Sequence, residues 1–484
     1  MTIQRHFASS PPTWTLFDVM VDGNGSGDFT TIQDALNAAP QDDSDYVIFL
    51  KNGVYSERLH ITRPNVHLLG ESRQHTIISG GCANGHIRQD GKIPGTYGSR
   101  TVNVDSVGFR ATSLTIQNRF DYIANAKKSD SDPTKLKHTQ AVALLIGKHG
   151  DRAQFKDVSL DSYHDTLYVS AGRSYFDHCL ITGHVDFIFG GGCALFHHCE
   201  VRARQRLDAP DDEPMGFIAA PCTHISQPFG LVFEFCQFTK EANVPAQSYA
   251  LGRPWHPTTQ FNDGFYADPN AIGHCAYLHC EFDDHLAGWE KMGGRSIDRE
   301  TQWFFPEDAR FWEYQNQQKG HLRQPKTPYK LSDENISEYT LTTIFDGWQP
   351  DISIVNDTLV NLHIAHPLLN SSADIELIDR CGDTRRIATA PQSQVQVNIQ
   401  GLTLPILVIV TPHQSSTIGL KTLIVSEPHA DSTIDVSLLS QLLVEQTLSA
   451  QTQDLSLPPA VPIFSKQHWR HIRQSTFHAL REIC

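Results

Sequence analysis

Two aspartates, Asp165 and Asp186, have the residue type and the spacing for paired carboxylate chemistry. Each follows an aromatic residue by ten positions, Phe155 in the first case and Phe176 in the second. If these segments are coils of a repeat, the carboxyl groups stack about 5 Å apart. Two carboxyl groups that close cannot both ionise freely, so one becomes an acid beside a base or nucleophile. A ladder of aspartates at solvent-facing turns is the alternative, although the apolar neighbours of Asp186 argue against it.

A cation is needed to keep a nucleophilic carboxylate ionised and oriented, and Arg253 is the candidate. It lies in YALGRPWHP, where Gly252 and Pro254 restrict the backbone and Trp255 adds an aromatic surface. Arginine suits a carboxylate better than lysine because it donates two parallel hydrogen bonds. An ordinary surface arginine in a turn remains the other interpretation.

Other catalytic systems lack their sequence patterns. The chain contains no G-x-S-x-G and no H-E-x-x-H, and its 25 histidines are scattered. Its 10 cysteines show no C-x-x-C or zinc-finger spacing. A serine hydrolase of the nucleophile-elbow type and a zinc site are therefore not expected.

A sequence repeat indicates the elements that must position these residues. The step from Phe155 to Phe176 is 21 residues, and the step from Phe176 to Phe196 is 20. Short strands at this period predict an all-β solenoid whose coils stack about 4.8 Å apart. Four segments share an aromatic-x-x-Cys pattern: FDHCLI (176–181), FHHCEV (196–201), FEFCQF (233–238) and YLHCEF (277–282). Their cysteines fit an interior ladder, and a disulfide between Cys179 and Cys199 is left open.

The composition changes after about residue 320. The polar stretch 317–337 is either a linker or a tail that wraps back. Beyond it, alternating runs predict a small antiparallel β-domain; they are 352–355, 375–379, 394–399, 404–410 and 422–428. Candidate helices follow at 438–451 and 465–483. We predict a solenoid domain at 1–348 and an extension at 349–484, with a β-rich segment at about 350–430 and a helical tail at about 436–484.

Charge and hydropathy exclude several classes of partner. The 484 residues contain 39 Lys and Arg against 54 Asp and Glu, a net charge of -15. Nucleic acid and anionic membrane surfaces are therefore not expected as partners. No stretch approaches the roughly 20 apolar residues of a membrane span. The N-terminal segment lacks the apolar core of a signal peptide, so a cytoplasmic location is favoured. A secreted or periplasmic location is expected instead if Met1 begins the mature form of an exported protein.

At these residues the chain resembles the pectin methylesterases, carbohydrate esterases with a right-handed parallel β-helix. The resemblance runs from about Val21 to Trp348, about two thirds of the chain. Six motifs occur in the order of that family: DGxGxGDFTTIQDAL (22–36), GVYSE (53–57), QAVAL (140–144), HDTLYV (164–169), DFIFG (186–190) and LGRPW (251–255). Six motifs in one order are specific, whereas any one of them alone would be weak.

The resemblance implies a role for each catalytic candidate. Asp186 matches the nucleophile that attacks the methyl ester carbonyl, and Asp165 matches the general acid and base. Arg253 matches the residue that holds the nucleophile, and Gln140 matches a glutamine that stabilises the oxyanion. The implied substrate is methyl-esterified homogalacturonan or its oligogalacturonides. No metal and no organic cofactor are implied.

Further positions match the sugar-binding cleft of the family. They are Tyr168, Val185, Phe189, Trp255 and Thr258, with Met292 in GWEKMGG as another match. Aromatic faces stack on sugar rings, so the aromatic members of this set suit a carbohydrate cleft. Each turnover converts a neutral ester into a carboxylate. The acidic chain is therefore expected to bind demethylated product less well than esterified substrate.

One departure from the family pattern concerns the oxyanion. The residue before the catalytic acid is usually glutamine, and here it is His164. Imidazole can also donate a hydrogen bond, but its charge depends on pH. The hypothesis is an esterase with an altered pH response or substrate preference. Two alternatives remain at this point: a β-helix glycosidase, since carboxylates about 5 Å apart suit a retaining mechanism, and a non-catalytic pectin-binding solenoid.

Overall fold

The computed structural model describes residues 17–350 except 88–90 and 327, and beyond them mainly the strands of a second unit. The chain divides into two compact units, one of which is Val19–Pro350. The strands that follow Asp351 belong to the other unit.

Three ladders of parallel strands, here called faces A, B and C, wind around one core in the first unit. Face A contains Val19–Val21, Tyr46–Leu50, Val66–Gly70, Arg173–Asp177, Cys193–His197, Leu231–Glu234, His274–Leu278 and Arg310–Tyr314. Face B contains Gly53–Tyr55, Thr76–Gly80, Leu180–Gly183, Glu200–Ala203, Gln237–Lys240, Glu281–Phe282 and Gln317–Gln318, with His321–Leu322 added antiparallel. Face C contains Leu59–Ile61, Val102–Val104, Leu144–Ile146, Leu167–Val169, Ile188–Gly190, Gly216–Pro221 and Tyr249–Gly252.

Two nine-residue strands belong to faces A and B together. They are Arg110–Asn118 and Ala153–Asp161, and each pairs with face A through its first half and face B through its second. Ser113 and Asp157 lie at their centres with φ of 50° and 52°. This left-handed conformation turns the strand from one face to the next. The three-faced parallel solenoid confirms the predicted fold.

A stack of aromatic rings fills the interior behind face A. The ring centroids of Phe155 and Phe176 are 4.6 Å apart, and those of Phe176 and Phe196 are 4.8 Å apart. The stack continues to Phe233 at 4.6 Å and to Tyr277 at 4.9 Å. These distances equal the spacing of parallel strands, so each ring covers the next without a gap. The aromatic positions of the sequence repeat are therefore the interior contacts of consecutive coils.

The repeat cysteines form a second interior ladder. Cys179, Cys199 and Cys236 are buried and free, so the pair left open by the sequence does not form a disulfide. Each thiol lies close to a carbonyl oxygen of the preceding coil, as in the 3.4 Å contact from Cys199 to Phe176. They pack as small apolar side chains, as expected for buried cysteine.

The polar stretch after residue 317 wraps back along the solenoid. The thiol of Cys193 lies 3.3 Å from the carbonyl oxygen of Ile344, and Arg173 donates to the carbonyl of Phe345 at 2.8 Å. His274 contacts the hydroxyl of Tyr339 at 3.0 Å. Within 317–337 itself, Arg323 donates to Oε2 of Glu313 at 2.6 Å, and the backbone N–H of Leu331 donates to the carbonyl of Glu313 at 3.1 Å. This stretch therefore packs back on the solenoid, as in the second of the two interpretations. The chain from residue 317 to residue 350 contains a 3-10 helix at Asn335–Glu338 and an α-helix at Leu341–Ile344.

The remaining helices and hairpins are short. The helices are Ile32–Asn37, Gly95–Ser99, Tyr122–Ala126 and the 3-10 helix Pro306–Asp308. Two antiparallel hairpins pair Thr258–Gln260 with Phe265–Ala267 and Met292–Arg295 with Thr301–Phe304. In the described part of the chain, no helix has the length and apolar character to cross a membrane.

The second unit contains two small sheets in its described part. Asn361–Ala365 pairs antiparallel with Gln394–Asn398 and parallel with Thr433–Asp435. Ala373–Ile378 pairs antiparallel with Thr384–Thr389 and with Ile406–Pro412, which pairs with Leu420–Ile424. One parallel pairing therefore departs from the predicted antiparallel pattern. The predicted run 352–355 and helices 438–451 and 465–483 lie outside the described residues.

The aromatic stack makes a testable prediction about stability. Phe196 is fully buried between two stacked rings, so Phe196→Ala leaves a cavity and should lower the free energy of unfolding by about 3–5 kcal/mol. Phe235→Ala is the matched control, because Phe235 is 45% exposed and should cost less than about 1 kcal/mol. Urea unfolding curves of both variants measure the difference. Equal losses would contradict the role of the interior stack.

Candidate active site

Consecutive coils bring the two aspartates to one position beside face C. His164 bridges Val185 in parallel register, and Tyr168 is paired with Phe189 on the following strands. Both aspartates are 8% exposed and take the left-handed conformation, with φ of 62° at Asp165 and 47° at Asp186. Aspartate tolerates this conformation better than bulky residues do. The two carboxyl groups therefore occupy equivalent positions of neighbouring coils.

Arg253 holds Asp186 from two coils away. It directly follows strand Tyr249–Gly252, and its Nε donates to Oδ1 of Asp186 at 2.9 Å while an Nη donates to Oδ2 at 2.7 Å. Its guanidinium also lies 3.8 Å from the ring centroid of Phe217. The two parallel hydrogen bonds leave the carboxylate a single orientation.

The environment separates the two carboxyl groups chemically. Burial raises the pKa of Asp165 well above its ordinary value, and the negative charge of Asp186 raises it further. Burial would lower the pKa of Arg253, but the negative charge of Asp186 raises it. Asp165 therefore keeps its proton at pH values where an exposed aspartic acid is ionised. The arrangement combines a protonated acid with an ion-paired carboxylate, the pattern of an acid beside a nucleophile.

His164 contacts the acid directly. Its Nε2 lies 3.3 Å from Oδ1 of Asp165, and its Nδ1 lies 3.2 Å from the hydroxyl of Thr139. Burial lowers the pKa of His164 to about 4, so the imidazole is neutral at pH 7. A neutral imidazole carries one N–H, and a hydroxyl that donates to Nδ1 leaves that proton on Nε2. The ring centroid of His184 lies 5.8 Å from that of His164. Burial lowers the pKa of His184 as well, so this second imidazole adds no positive charge.

Gln140 lies on the coil that precedes Asp165. The backbone N–H of Ala141 donates to the carbonyl of His164 at 2.9 Å, which joins the two coils. The side-chain oxygen of Gln140 accepts from Nδ2 of Asn84 at 3.1 Å. Because this contact occupies the oxygen, the amide N–H groups of Gln140 remain available as donors. Three consecutive coils therefore contribute donors and carboxyl groups to one site.

Three predicted cleft residues form an aromatic cluster. The rings of Tyr168 and Phe189 stack with centroids 4.3 Å apart, and Trp255 meets Phe189 at 5.6 Å and an interplanar angle of 63°. Val185 lies in a neighbouring cluster with Phe217. Each of these four predicted residues lies within three positions of Asp165, Asp186 or Arg253 along the chain.

Thr258 and Met292 lie in the two hairpins beyond Trp255. Each begins a strand, at Thr258–Gln260 and at Met292–Arg295. Among the described residues, neither side chain belongs to the aromatic cluster. The roles suggested for these two residues stay predictions.

Sequence reasoning missed three residues that support the site: Thr139, Asn84 and Phe217. Thr139 contacts His164 and immediately precedes Gln140, so its proximity to a matched motif was a signal. The sequence gives no comparable signal for Asn84 and Phe217. Each belongs to a coil that is not separated from the aspartates by the 20- or 21-residue repeat.

Comparison with known proteins identifies the family. The Pectinesterase family model matches residues 18–261. Pectinesterase A from Dickeya dadantii is 48% identical over 325 residues, which cover 67% of this chain and 88% of that protein. This chain belongs to the pectinesterase family. The family assignment and the predicted class of enzyme, a carboxylic ester hydrolase, are thereby confirmed.

Solved structures of pectinesterases agree with the assignment. A pectin methylesterase in complex with a hexasaccharide is 48% identical, with a TM-score of 0.67, and covers 70% of this chain and 99% of its own. The pectin methylesterase from Yersinia enterocolitica is 49% identical, with a TM-score of 0.64, and covers 66% and 99% respectively. The individual roles of the site residues stay predictions.

The Arg253–Asp186 pair makes a prediction with a matched control. Arg173 contacts Asp151 with the same two distances, 2.9 and 2.7 Å, outside the site. Arg253→Lys keeps the charge but loses the paired hydrogen bonds, so we expect kcat for methanol release from methylated pectin to fall about 100-fold. Arg173→Lys should leave kcat within about twofold. A similar fall in both variants would show that general destabilisation, not orientation of Asp186, is responsible.

Proposed function

We propose that this pectinesterase hydrolyses galacturonate methyl esters with Asp186 as the nucleophile and Asp165 as the acid and base. The observation that carries the proposal is the bidentate ion pair of Asp186 with Arg253, one coil away from a buried and protonated Asp165. An ionised nucleophile and a protonated acid are the two groups that ester cleavage requires at the same time.

In the first half of the reaction, a carboxylate oxygen of Asp186 attacks the carbonyl carbon of the ester. Negative charge develops on the carbonyl oxygen, where the amide of Gln140 and the Nε2–H of His164 are the proposed donors. The C–O bond to the methoxy group breaks as Asp165 gives its proton to that oxygen. Methanol leaves, and an anhydride joins Asp186 to the galacturonate.

In the second half, Asp165 is ionised and accepts a proton from water. The hydroxide so generated attacks the galacturonyl carbon of the anhydride, and the bond to Asp186 breaks. The products are a galacturonate carboxylate and the starting enzyme, with Asp165 protonated and Asp186 ionised. Each turnover consumes one water and releases one methanol and one proton, the latter from the new carboxylic acid.

The proposed substrate is methyl-esterified homogalacturonan or its oligogalacturonides. The aromatic cluster of Tyr168, Phe189 and Trp255 supports a carbohydrate, because ring faces pack on the apolar faces of sugars. The hexasaccharide complex of the relative supports a chain of several sugar units. Val185, Thr258 and Met292 are further proposed contacts along this chain.

A two-readout assay tests the reaction and its nucleophile. Methylated pectin should yield methanol without new reducing ends, whereas a glycosidase would yield reducing ends and a binding module neither. Asp186→Asn should lower methanol release at least about 1,000-fold, because the amide cannot form the anhydride. Asp151→Asn is the control, since Asp151 also faces an arginine but lies outside the site. Retained activity in Asp186→Asn would overturn the assignment of the nucleophile.

The pH profile tests the role of His164. Protonation below pH of about 4 would place a cation 3.3 Å from Asp165 and favour loss of the proton that the acid must donate. Wild-type kcat/KM should therefore fall on the acidic side partly through His164. His164→Gln removes this titration but keeps a donor, so the acidic fall should become less steep. The fall at higher pH follows the raised pKa of Asp165 and should remain.

A second substitution separates donation from packing in that experiment. His164→Leu removes the donor, and kcat should fall about 10- to 100-fold while KM changes less. His164→Gln should recover most of the loss at neutral pH. If the Gln and Leu variants have the same kcat and pH profile, His164 does not donate in the reaction.

A further inference from the structure

His184 lies two positions before the proposed nucleophile and is 1% exposed. Its backbone N–H donates to the carbonyl of Tyr163 at 2.7 Å, and its carbonyl accepts from the N–H of Phe217 at 2.9 Å. The carbonyl of the next residue, Val185, accepts from the N–H of Asp165 at 3.3 Å. Neighbouring coils thus satisfy three of the four backbone polar groups of His184 and Val185.

The side chain of His184 satisfies the fourth group. Its Nδ1 accepts a hydrogen bond from the backbone N–H of Val185 at 2.8 Å. A buried backbone N–H without a partner costs free energy, so this acceptor stabilises the conformation of the corner 184–187. The next residue, Asp186, has a left-handed backbone with φ of 47°, which persists only where its surroundings determine it. The hydrogen bond therefore restrains the backbone directly before the nucleophile.

The other nitrogen of the imidazole shows what this acceptor costs. Burial lowers the pKa of His184 well below its ordinary value, so the ring is neutral. A neutral imidazole that accepts at Nδ1 carries its proton on Nε2. Nε2 is buried and has no hydrogen-bond partner among the described residues. An apolar side chain would avoid this unpaired donor, so the property that distinguishes His184 is the acceptor at Nδ1.

Two tyrosine rings pack against the imidazole. The ring centroid of Tyr122 lies 4.4 Å from that of His184, and the ring centroid of Tyr163 lies 5.7 Å from it. The hydroxyl of Tyr122 donates to Oδ1 of Asp208 at 2.6 Å, which holds this ring in place. The ring of His164, the proposed oxyanion donor, packs beside His184 at 5.8 Å. The orientation of the imidazole is therefore fixed by its neighbours.

We propose that His184 is a positioning residue, which holds Val185 and Asp186 in the conformation that places the nucleophile for attack. The inference rests on the proposed function. His184 acts through the backbone of Val185 and the 2.8 Å hydrogen bond to Nδ1. Loss of this acceptor should shift the carboxylate of Asp186 relative to the ester carbonyl. A small misplacement of a reacting group lowers kcat more than it weakens substrate binding.

Two substitutions separate the acceptor from the rest of the side chain. Oδ1 of asparagine is attached at the same carbon as Nδ1 of histidine, so His184→Asn keeps an acceptor for Val185, whereas His184→Leu removes it. We expect His184→Leu to lower kcat for methanol release from methylated pectin about 10- to 100-fold, with a smaller change in KM. His184→Asn should recover most of this loss. If the leucine variant does not fold, His184→Phe replaces it, because phenylalanine also lacks the acceptor but keeps a ring beside Tyr122.

His274 provides a matched control on face A. It is 3% exposed, and its Nδ1 accepts from the backbone N–H of Gly230 at 3.1 Å. His274→Leu should lower the melting temperature about as much as His184→Leu but leave kcat within about twofold. A similar fall of kcat in both leucine variants would show that general destabilisation is responsible. Equal kcat in His184→Asn and His184→Leu would also overturn the positioning role.

Hydrogen exchange tests the structural step without turnover. The amide of Val185 should exchange at least about 10-fold faster in His184→Leu than in wild type, whereas His184→Asn should keep its protection. Mass spectrometry on overlapping peptides that include residue 185 measures this difference. Unchanged exchange in His184→Leu would overturn the inference at its first step. If wild type releases no methanol from pectin, the proposed function fails whatever the exchange shows. If methanol is released and exchange accelerates but kcat is unchanged, the positioning role fails alone.

Discussion

The parallel register between coils is the constraint on which the site depends. Asp165 and Asp186 become neighbours because strands Leu167–Val169 and Ile188–Gly190 pair at a step of 21 residues. A slip of one residue would turn each side chain to the opposite face of its strand. The stacked rings of Phe155 and Phe176 oppose such a slip, since they meet only in this register. The packing of the interior behind face A thus fixes the register that places the carboxyl groups of Asp165 and Asp186 next to each other beside face C.

This packing also sustains unfavourable features at the site. Asp165 is a buried carboxyl group beside a second one, and both aspartates have left-handed backbone conformations. Each feature costs free energy and persists only where the surrounding structure determines it. The Arg253 ion pair offsets part of the electrostatic cost at Asp186. The backbone N–H of Asp165 donates to the carbonyl of Val185 at 3.3 Å, which ties the backbone of one coil to the next. A strongly shifted pKa and a strained backbone at the same place are common at functional sites.

The sequence predicts the parts of the site that follow the repeat. The step from Asp165 to Asp186 equals the step from Phe155 to Phe176, so their proximity follows from counting. The position of Phe217 could not be predicted in this way. The coil between Asp186 and Phe217 is longer than the 20- or 21-residue repeat, so counting does not place Phe217 next to Asp186. The hairpins that hold Thr258 and Met292 lie outside the parallel coils, so their placement depends on loop contacts without periodic signal.

The net charge of the chain does not describe the charge at the site. A total of -15 argues against anionic partners, yet an esterase of pectin must release an anion at every turnover. The net charge and the anionic product are compatible, because the electrostatic potential near a reacting group depends more on the nearest charges than on the sum over the chain. Arg253 donates two hydrogen bonds to Asp186, so a positive charge lies next to this aspartate although the chain as a whole is acidic. The net charge of the chain therefore does not determine the charge that a substrate meets at the two aspartates.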